Sequence, residues 1–252
     1  MTDPNVRFRL LRVKLRRHGA AIADMLLKIT QSELCVFCNS SSDITKEHVL
    51  PKWLFQNDTQ STFISSINKQ TQTYNKAVLP ACSACNNSIL AYIEKHIAIT
   101  TESLATNDDG TKEDLYNIIR WMEIIEYKLQ VLDCRRKFLK YGDEPYDPQW
   151  GIFPVAMMRH LFDMAPWKTY HSLRRAQRRI TLKAKGKCLN SLVAIKTREA
   201  HFDFFALPNE YIFISFPQFN IAFFYFLTRK FDYYEEAADE ALRIIQKVAE
   251  TE

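Results

Sequence analysis

The sequence predicts an α+β chain: a cysteine-rich N-terminal unit, a helical segment, an antiparallel β-meander and a C-terminal helix. Three observations predict it. Two Cys-x-x-Cys pairs, Cys35/Cys38 and Cys82/Cys85, bracket one stretch of chain. Apolar residues from Leu115 to Leu132 recur at three- and four-residue spacing, as on one face of a helix. After Leu189, short β-branched and aromatic runs alternate with Pro-containing turns.

The bulk composition suits a globular protein. Of 252 residues, 47% are apolar, 25% charged and 13% aromatic, enough to bury a core and to exclude wholesale disorder. One or two domains are expected at this length. The polar break Thr106-Asn107-Asp108-Asp109-Gly110 divides a unit at 1–105, with its centre at 35–95, from a second at 111–252. The Arg-rich N-terminus lacks the apolar core of a secretion signal. The longest unbroken apolar run of the most apolar stretch, Ile221 to Leu227, is far shorter than the roughly 20 residues that span a bilayer. A soluble, cytoplasmic protein with no membrane partner is expected.

The elements follow in order. The alternation Arg7-Phe8-Arg9-Leu10 leaves strand or helix open, and a helix is predicted over about Ala20 to Thr30. Gln56 to Asn75, rich in Gln, Ser, Thr and Asn, reads as a loop or weak hairpin. Ser88 to Ile99 reads as a helix starting after the second cysteine pair. Thr111 and Asp114 form a helix cap, after which a long helix runs to about Lys140. Tyr141 to Pro148 is a turn-rich connector, and a helix is expected around His171 to Arg179. Strands are predicted within Ser191–Thr197, Ala200–Leu207, Glu210–Phe216 and Phe219–Thr228, with Pro208-Asn209 and Pro217-Gln218 as tight connections. A final helix over Tyr233 to Ala249 places Ala238, Leu242, Ile245 and Val248 on one side.

Six cysteines are too few for a disulfide scaffold in a chain of this size. Two C-x-x-C pairs favour metal, because four thiolates close a tetrahedral Zn²⁺ site. Cys35, Cys38, Cys82 and Cys85 are the candidate ligands, while Cys134 and Cys188 read as ordinary thiols. Between the pairs lies Thr45-Lys46-Glu47-His48-Val49-Leu50-Pro51-Lys52-Trp53-Leu54, and the second pair runs into Asn86-Asn87. An acid, a histidine and an asparagine are the parts that metal-assisted phosphodiester cleavage needs. A neutral imidazole at His48 takes a proton near neutral pH.

The net charge is +5, and its distribution matters more than its size. No acid occurs from Met164 to Arg198, while Arg174, Arg175, Arg178, Arg179, Lys183, Lys185 and Lys187 are basic. A second concentration is Arg7, Arg9, Arg12, Lys14, Arg16 and Arg17. Segregated basic stretches are what phosphate neutralisation requires. With Lys46 and Lys52 beside the acid-histidine pair, the residues of 164–198 are the candidate nucleic-acid contacts.

Cys35-x-x-Cys38, Glu47-His48-x-x-Pro51 and Cys82-x-x-Cys85-Asn86 together resemble the HNH endonuclease family of ββα-metal fold, in its four-cysteine zinc-knuckle, stand-alone bacterial form. The resemblance covers about residues 35–95, with Thr45 to Leu54, Asn86-Asn87 and Glu94 carrying its phrasing; Trp121 extends it weakly. It implies duplex DNA as substrate, His48 as general base, and Glu47 and Asn86 as ligands of a catalytic Mg²⁺ or Mn²⁺, beside a structural zinc. Asn87 competes with Asn86 for the ligand role. The family's middle asparagine falls here on Ala77, and the nearest asparagine is Asn75. A homodimer would make a double-strand break natural. Two other readings stay open: a catalytically silent zinc module that binds nucleic acid or protein, and an RNA-cleaving or defence effector.

Overall fold

The computed structural model describes residues 3–27, 34–55, 62–65, 70–73, 77–107, 110–138, 166–183, 186–198 and 202–250. They form a mixed α and β structure whose sheets are antiparallel throughout.

Helix α1, Pro4–Leu27, settles the segment left open by the alternation. Asp3 caps it, its carboxylate accepting from the Asn5 N–H at 2.9 Å. Pro4 follows at the first helical position, where a missing N–H costs nothing. Phe8, Leu11 and Leu15, spaced as one helix face, are buried, and that stripe selects helix over strand.

Strands β1, Ile44–His48, and β4, Val78–Cys82, pair antiparallel from Ile44 opposite Cys82 to His48 opposite Val78. Between them Thr62–Ser65 (β2) and Gln70–Thr73 (β3) form an antiparallel pair, the hairpin form of the polar stretch. One α-helical turn, Ser83–Cys85, and one π-helical turn, Asn86–Leu90, lead from β4 into α2, Ala91–Asn107.

Helix α3, Lys112–Phe138, opens on the expected cap. The Asp114 N–H donates to Thr111 Oγ1 at 3.2 Å, and Asp114 Oδ2 accepts from the Thr111 N–H at 3.1 Å. The apolar pattern predicted one buried face, yet every residue from Trp121 to Leu132 is buried. Neighbours surround this helix, and its buried Glu, Lys and Gln side chains survive because each meets a partner. Tyr225 Oη donates to Glu123 at 3.2 Å, Arg179 reaches Glu126 at 2.8 Å, and Ser172 Oγ donates to Gln130 at 3.0 Å. Helix α4, Pro166–Thr181, supplies Ser172 and Arg179.

Four strands complete the fold: β5 Leu192–Lys196, β6 Phe204–Leu207, β7 Tyr211–Phe216 and β8 Ile221–Phe226. Their order is β5-β8-β7-β6, so the expected meander holds only for the last three. The first strand lies beside the last instead. Leu192 and Val193 are buried on opposite faces next to Tyr225 and Phe224, a two-sided burial that the far edge beside β6 would not give them. Asn209 and Asn220 take left-handed backbone (φ 62° and 55°) in the tight connections, a conformation asparagine tolerates better than most residues.

Alternation gives the sheet two apolar faces. Ile212, Ile214, Phe216, Phe223 and Tyr225 join one continuous core with Leu11, Phe37 and Trp121. Val193, Phe213, Phe224 and Phe226 pack with helix α5, Tyr234–Ala249. The stripe α5 buries is centred on Ala237 and Ala241, one residue earlier than expected, and Leu242 is 46% exposed. Small alanines let the helix approach an aromatic sheet closely; leucine at that contact would hold it off.

Candidate functional site

The register of β1 against β4 builds the cysteine cluster. Ile44 opposite Cys82 sets the start of the second pair beside the turn that carries the first. In that turn the Cys35 N–H donates to Ser40 O at 2.8 Å and the Asn39 N–H to Cys35 O at 2.8 Å, with Asn39 left-handed at φ 61°. The Val36 N–H reaches Pro80 O at 3.0 Å, tying the turn to β4. From α3, Tyr127 Oη donates to Val36 O at 2.6 Å.

The four sulfurs of Cys35, Cys38, Cys82 and Cys85 all lie within 4.8 Å of one another. A tetrahedral ion with Zn–S of about 2.3 Å needs sulfurs about 3.8 Å apart, so a cluster this tight can hold a zinc-type metal. Its protonation chemistry agrees. The Cys85 thiol donates to Cys35 and pulls that thiol down to about 5, while burial pushes Cys38 up to about 11. The Cys85 thiol is itself raised, first by the bond it gives to Cys35, then by burial. One shared thiolate forms readily; further ionisation awaits a cation that displaces the protons.

Three residues after the cluster's edge, β1 carries the acid-histidine pair. The strand stays regular through His48, so Glu47 and His48 leave it on opposite sides. Glu47 turns inward and is buried. Its carboxylate accepts from the Lys128 ammonium, which also donates to Glu94 at 3.1 Å and to the His48 carbonyl at 3.1 Å. All three ammonium protons are therefore used, and a fully buried lysine stays charged between two carboxylates. Burial alone would lower its pKa, but the two acids reverse the direction and raise it. Glu94 feels burial most and is pushed up to about 7. Removing one member of such a buried group costs about 3–5 kcal/mol, because a charge is left unpaired.

His48 ends the ladder and is half-buried. Burial lowers its pKa, Glu47 opposes this, and the positive charges of Lys128 and Lys52 add to it. The imidazole is therefore neutral at neutral pH and able to take a proton. Asn86, on the π-helical turn, lies against β1: its amide Nδ2 donates to Thr45 Oγ1 at 2.9 Å and Lys46 O at 3.3 Å. Its Oδ1 receives no hydrogen bond among the described residues. Asn87 instead faces Ser83, donating to its hydroxyl at 3.0 Å. Helices that widen to π-type for one turn re-aim side chains and recur at functional sites.

The fold thus carries Lys46, Glu47 and His48 on β1 and sets Asn86 against the Thr45–Lys46 part of that strand, with Lys46 and Lys52 exposed. It divides the basic stretch on α4. Arg175, Arg178 and Lys183 are exposed and Arg174 is half-buried. Arg179 is turned inside, its guanidinium on Glu126 and on Asn209 Oδ1 at 2.8 Å, and Lys187 is buried on Glu123. Asn75 and Lys185 lie outside the described residues. Position 77 is a buried alanine whose carbonyl accepts from the Val49 N–H at 2.9 Å.

Sequence reasoning missed Lys128. A lysine at 128 inside an apolar helical pattern reads as a surface break; the signal was that its neighbours on every side of the helix are also apolar or pairable.

No protein family, curated protein or solved structure matches the chain. No helix among the described residues is long and apolar enough to cross a membrane.

Proposed function

We propose that the chain is a metal-dependent endonuclease of the HNH type that hydrolyses phosphodiester bonds of DNA, duplex DNA being the favoured substrate. The observation that carries the reading is Asn86, bound through its amide to the strand that presents Glu47 and His48, beside a cluster of four cysteines. Asn86, far from the acid-histidine pair in sequence, lies against the same strand, and the three residue types are those the reaction needs.

In this reading the cysteine cluster holds a structural zinc that fixes β1, β4 and the following helix. Glu47, through the oxygen that Lys128 leaves open, and Asn86, through Oδ1, would hold a Mg²⁺ or Mn²⁺. That ion would supply positive charge to the phosphorane and the departing 3′ oxygen. His48 takes the proton from the attacking water, and its half-buried, neutral ring suits that task. Lys128 holds the Glu47 carboxylate in one position. Lys46 and Lys52 meet phosphate near the strand end, and Arg175, Arg178 and Lys183 meet it further along the duplex.

A second reading has its own observation. The charge of Glu47 is already met by Lys128, which suits a zinc module that binds nucleic acid or protein without cutting it. Supercoiled plasmid incubated with the chain and Mg²⁺ or Mn²⁺ separates the two. Nicking that needs the added ion and falls by about 10² or more in His48→Ala upholds the nuclease. Equal nicking by the variant removes His48 from the chemistry, and no nicking by zinc-loaded wild type favours the silent module.

A further inference from the structure

The basic stripe of α1 borders its buried face. Arg9, Arg12 and Arg16 follow the buried Phe8, Leu11 and Leu15 one residue later, so the arginines run along the edge of the face that packs. That edge meets α4, where Arg16 Nη2 donates to Thr181 O at 2.8 Å. The two basic concentrations of the sequence are therefore neighbours in the fold.

Between α1, α3 and the end of α4 lies a cleft of about 220 Å³, lined by Arg9, Arg12 and Arg120 over a floor that includes Phe8 and Ile180. At about 30 Å³ per water this is room for roughly seven waters, enough for a phosphate and part of the sugar it carries. The charges around it do not balance. Arg9 and Arg12 have no ion pair or hydrogen bond among the described residues. Among the described residues Arg120 donates only through Nη1, to Asn5 and Asn117 at 2.8 Å and to Glu113 at 3.1 Å. Its guanidinium carbon stands 5.3 Å from the Phe8 ring centre, which fixes the plane of the fork. The acid in the lining, Glu123, is already occupied by Lys187 and the Tyr225 hydroxyl.

We propose that this cleft binds a phosphate group, held by Arg9, Arg12 and the outward edge of Arg120, and that the phosphate belongs to a polynucleotide backbone. A planar guanidinium fork suits two phosphate oxygens at once, and a fixed fork loses little freedom on binding. The crowding leaves its mark on Arg12, whose pKa is lowered by burial and then by Arg16, Arg120 and Arg9; an anion between them would relieve it. At the start of the same helix, Arg7 lies 4.6 Å over the ring of Tyr92 on α2, the helix that follows Asn86. That contact sets the start of α1 beside the helix that follows Asn86. The phosphate site stands on the cleft itself; its polynucleotide source rests on the nuclease reading.

The test is fluorescence anisotropy of a labelled short DNA duplex with the full chain across a salt series, without added Mg²⁺ or Mn²⁺. Arg9→Ala/Arg12→Ala should weaken binding by about 10-fold or more and flatten the log–log salt slope by about 2. Arg9→Lys/Arg12→Lys should keep the slope. Lys230→Ala/Lys247→Ala, which removes two exposed charges from the sheet and the helix packed on it, should leave both nearly unchanged. An equal loss in both alanine pairs, or no loss in the first, overturns the cleft. If the duplex does not bind but a deoxynucleoside monophosphate raises the wild-type Tm and not that of Arg9→Ala/Arg12→Ala, the phosphate site stands and its polynucleotide source falls. If neither binds, the site falls with it. Plasmid nicking by His48→Ala reports on the catalytic reading alone, so the two failures are distinguishable.

Discussion

The cysteine cluster and the C-terminal sheet are both buried, yet they are held together by opposite means. The cluster gathers four thiols that would repel one another if all were ionised, so its full ionisation needs a cation among them. The sheet packs rings, Phe205 stacked on Phe213 at 4.7 Å and Phe224 tilted against Phe226 at 4.8 Å, closed by the alanine stripe of α5. The first should depend on metal and pH, the second on packed volume alone. Between them α3 belongs to both. It gives Tyr127 to the cysteine turn and Trp121 to an aromatic stack with Trp53 and Phe216, whose rings lie 6.0 and 6.1 Å away. A loss on one side can therefore reach the other through that helix.

The sharpest way to break the comparison is Cys82→Ser. Ion binding stabilises structural zinc sites by about 10–16 kcal/mol in small peptides, so the variant should lose bound zinc and much of the thermal stability around β1 and β4. Zinc per chain by mass spectrometry, read beside Tm, checks it; an unchanged zinc content would mean that the cluster is not the site. A strong chelator on wild type should give the same shift.

Phe224→Ala tests the other half. Deleting a fully buried phenylalanine costs about 3–5 kcal/mol. Because no metal is involved there, the loss should be equal in zinc-loaded protein and should leave zinc content unchanged. Loss of zinc in this variant would show that the two regions are tightly coupled.

The smallest effect concerns the rim of α5. Hydrogen bonds from Arg243 and then Arg229 hold the Glu240 carboxyl down at about 2. A depressed acid stabilises the fold above its ordinary pKa, and that contribution fades as pH falls from about 4.5 towards 2. The groups are exposed and screened, so Glu240→Gln should lower Tm at neutral pH by under about 2 °C. The difference from wild type should vanish at the acid end; a constant difference from neutral pH to acid would make it a packing effect.

Local pattern carried much of this architecture. The apolar spacing on α3, the Thr111–Asp114 cap and the runs between Pro208 and Pro217 were legible because helix and strand periods are properties of neighbouring residues. The two C-x-x-C pairs were legible for the same reason: their spacing states a ligand geometry. The order β5-β8-β7-β6 was not legible, since strand pairing across a sheet depends on which faces are covered. The stripe α5 buries was displaced by one residue because alanine, weak in any hydrophobic count, wins where close approach matters.

The sequence by itself determined most of the elements, the four-cysteine cluster and the acid, histidine and asparagine worth testing. Only the tertiary structure decided what each charge is for. Lys128 stands 81 residues from Glu47, Arg179 is turned onto Glu126, and Arg9 and Arg12 are left facing a cleft with Arg120. Nothing local separates these residues, because all are long, basic side chains on helices. The difference is burial: a charge taken out of water must find an opposite charge in the fold, and one left at a cleft keeps its charge for a ligand.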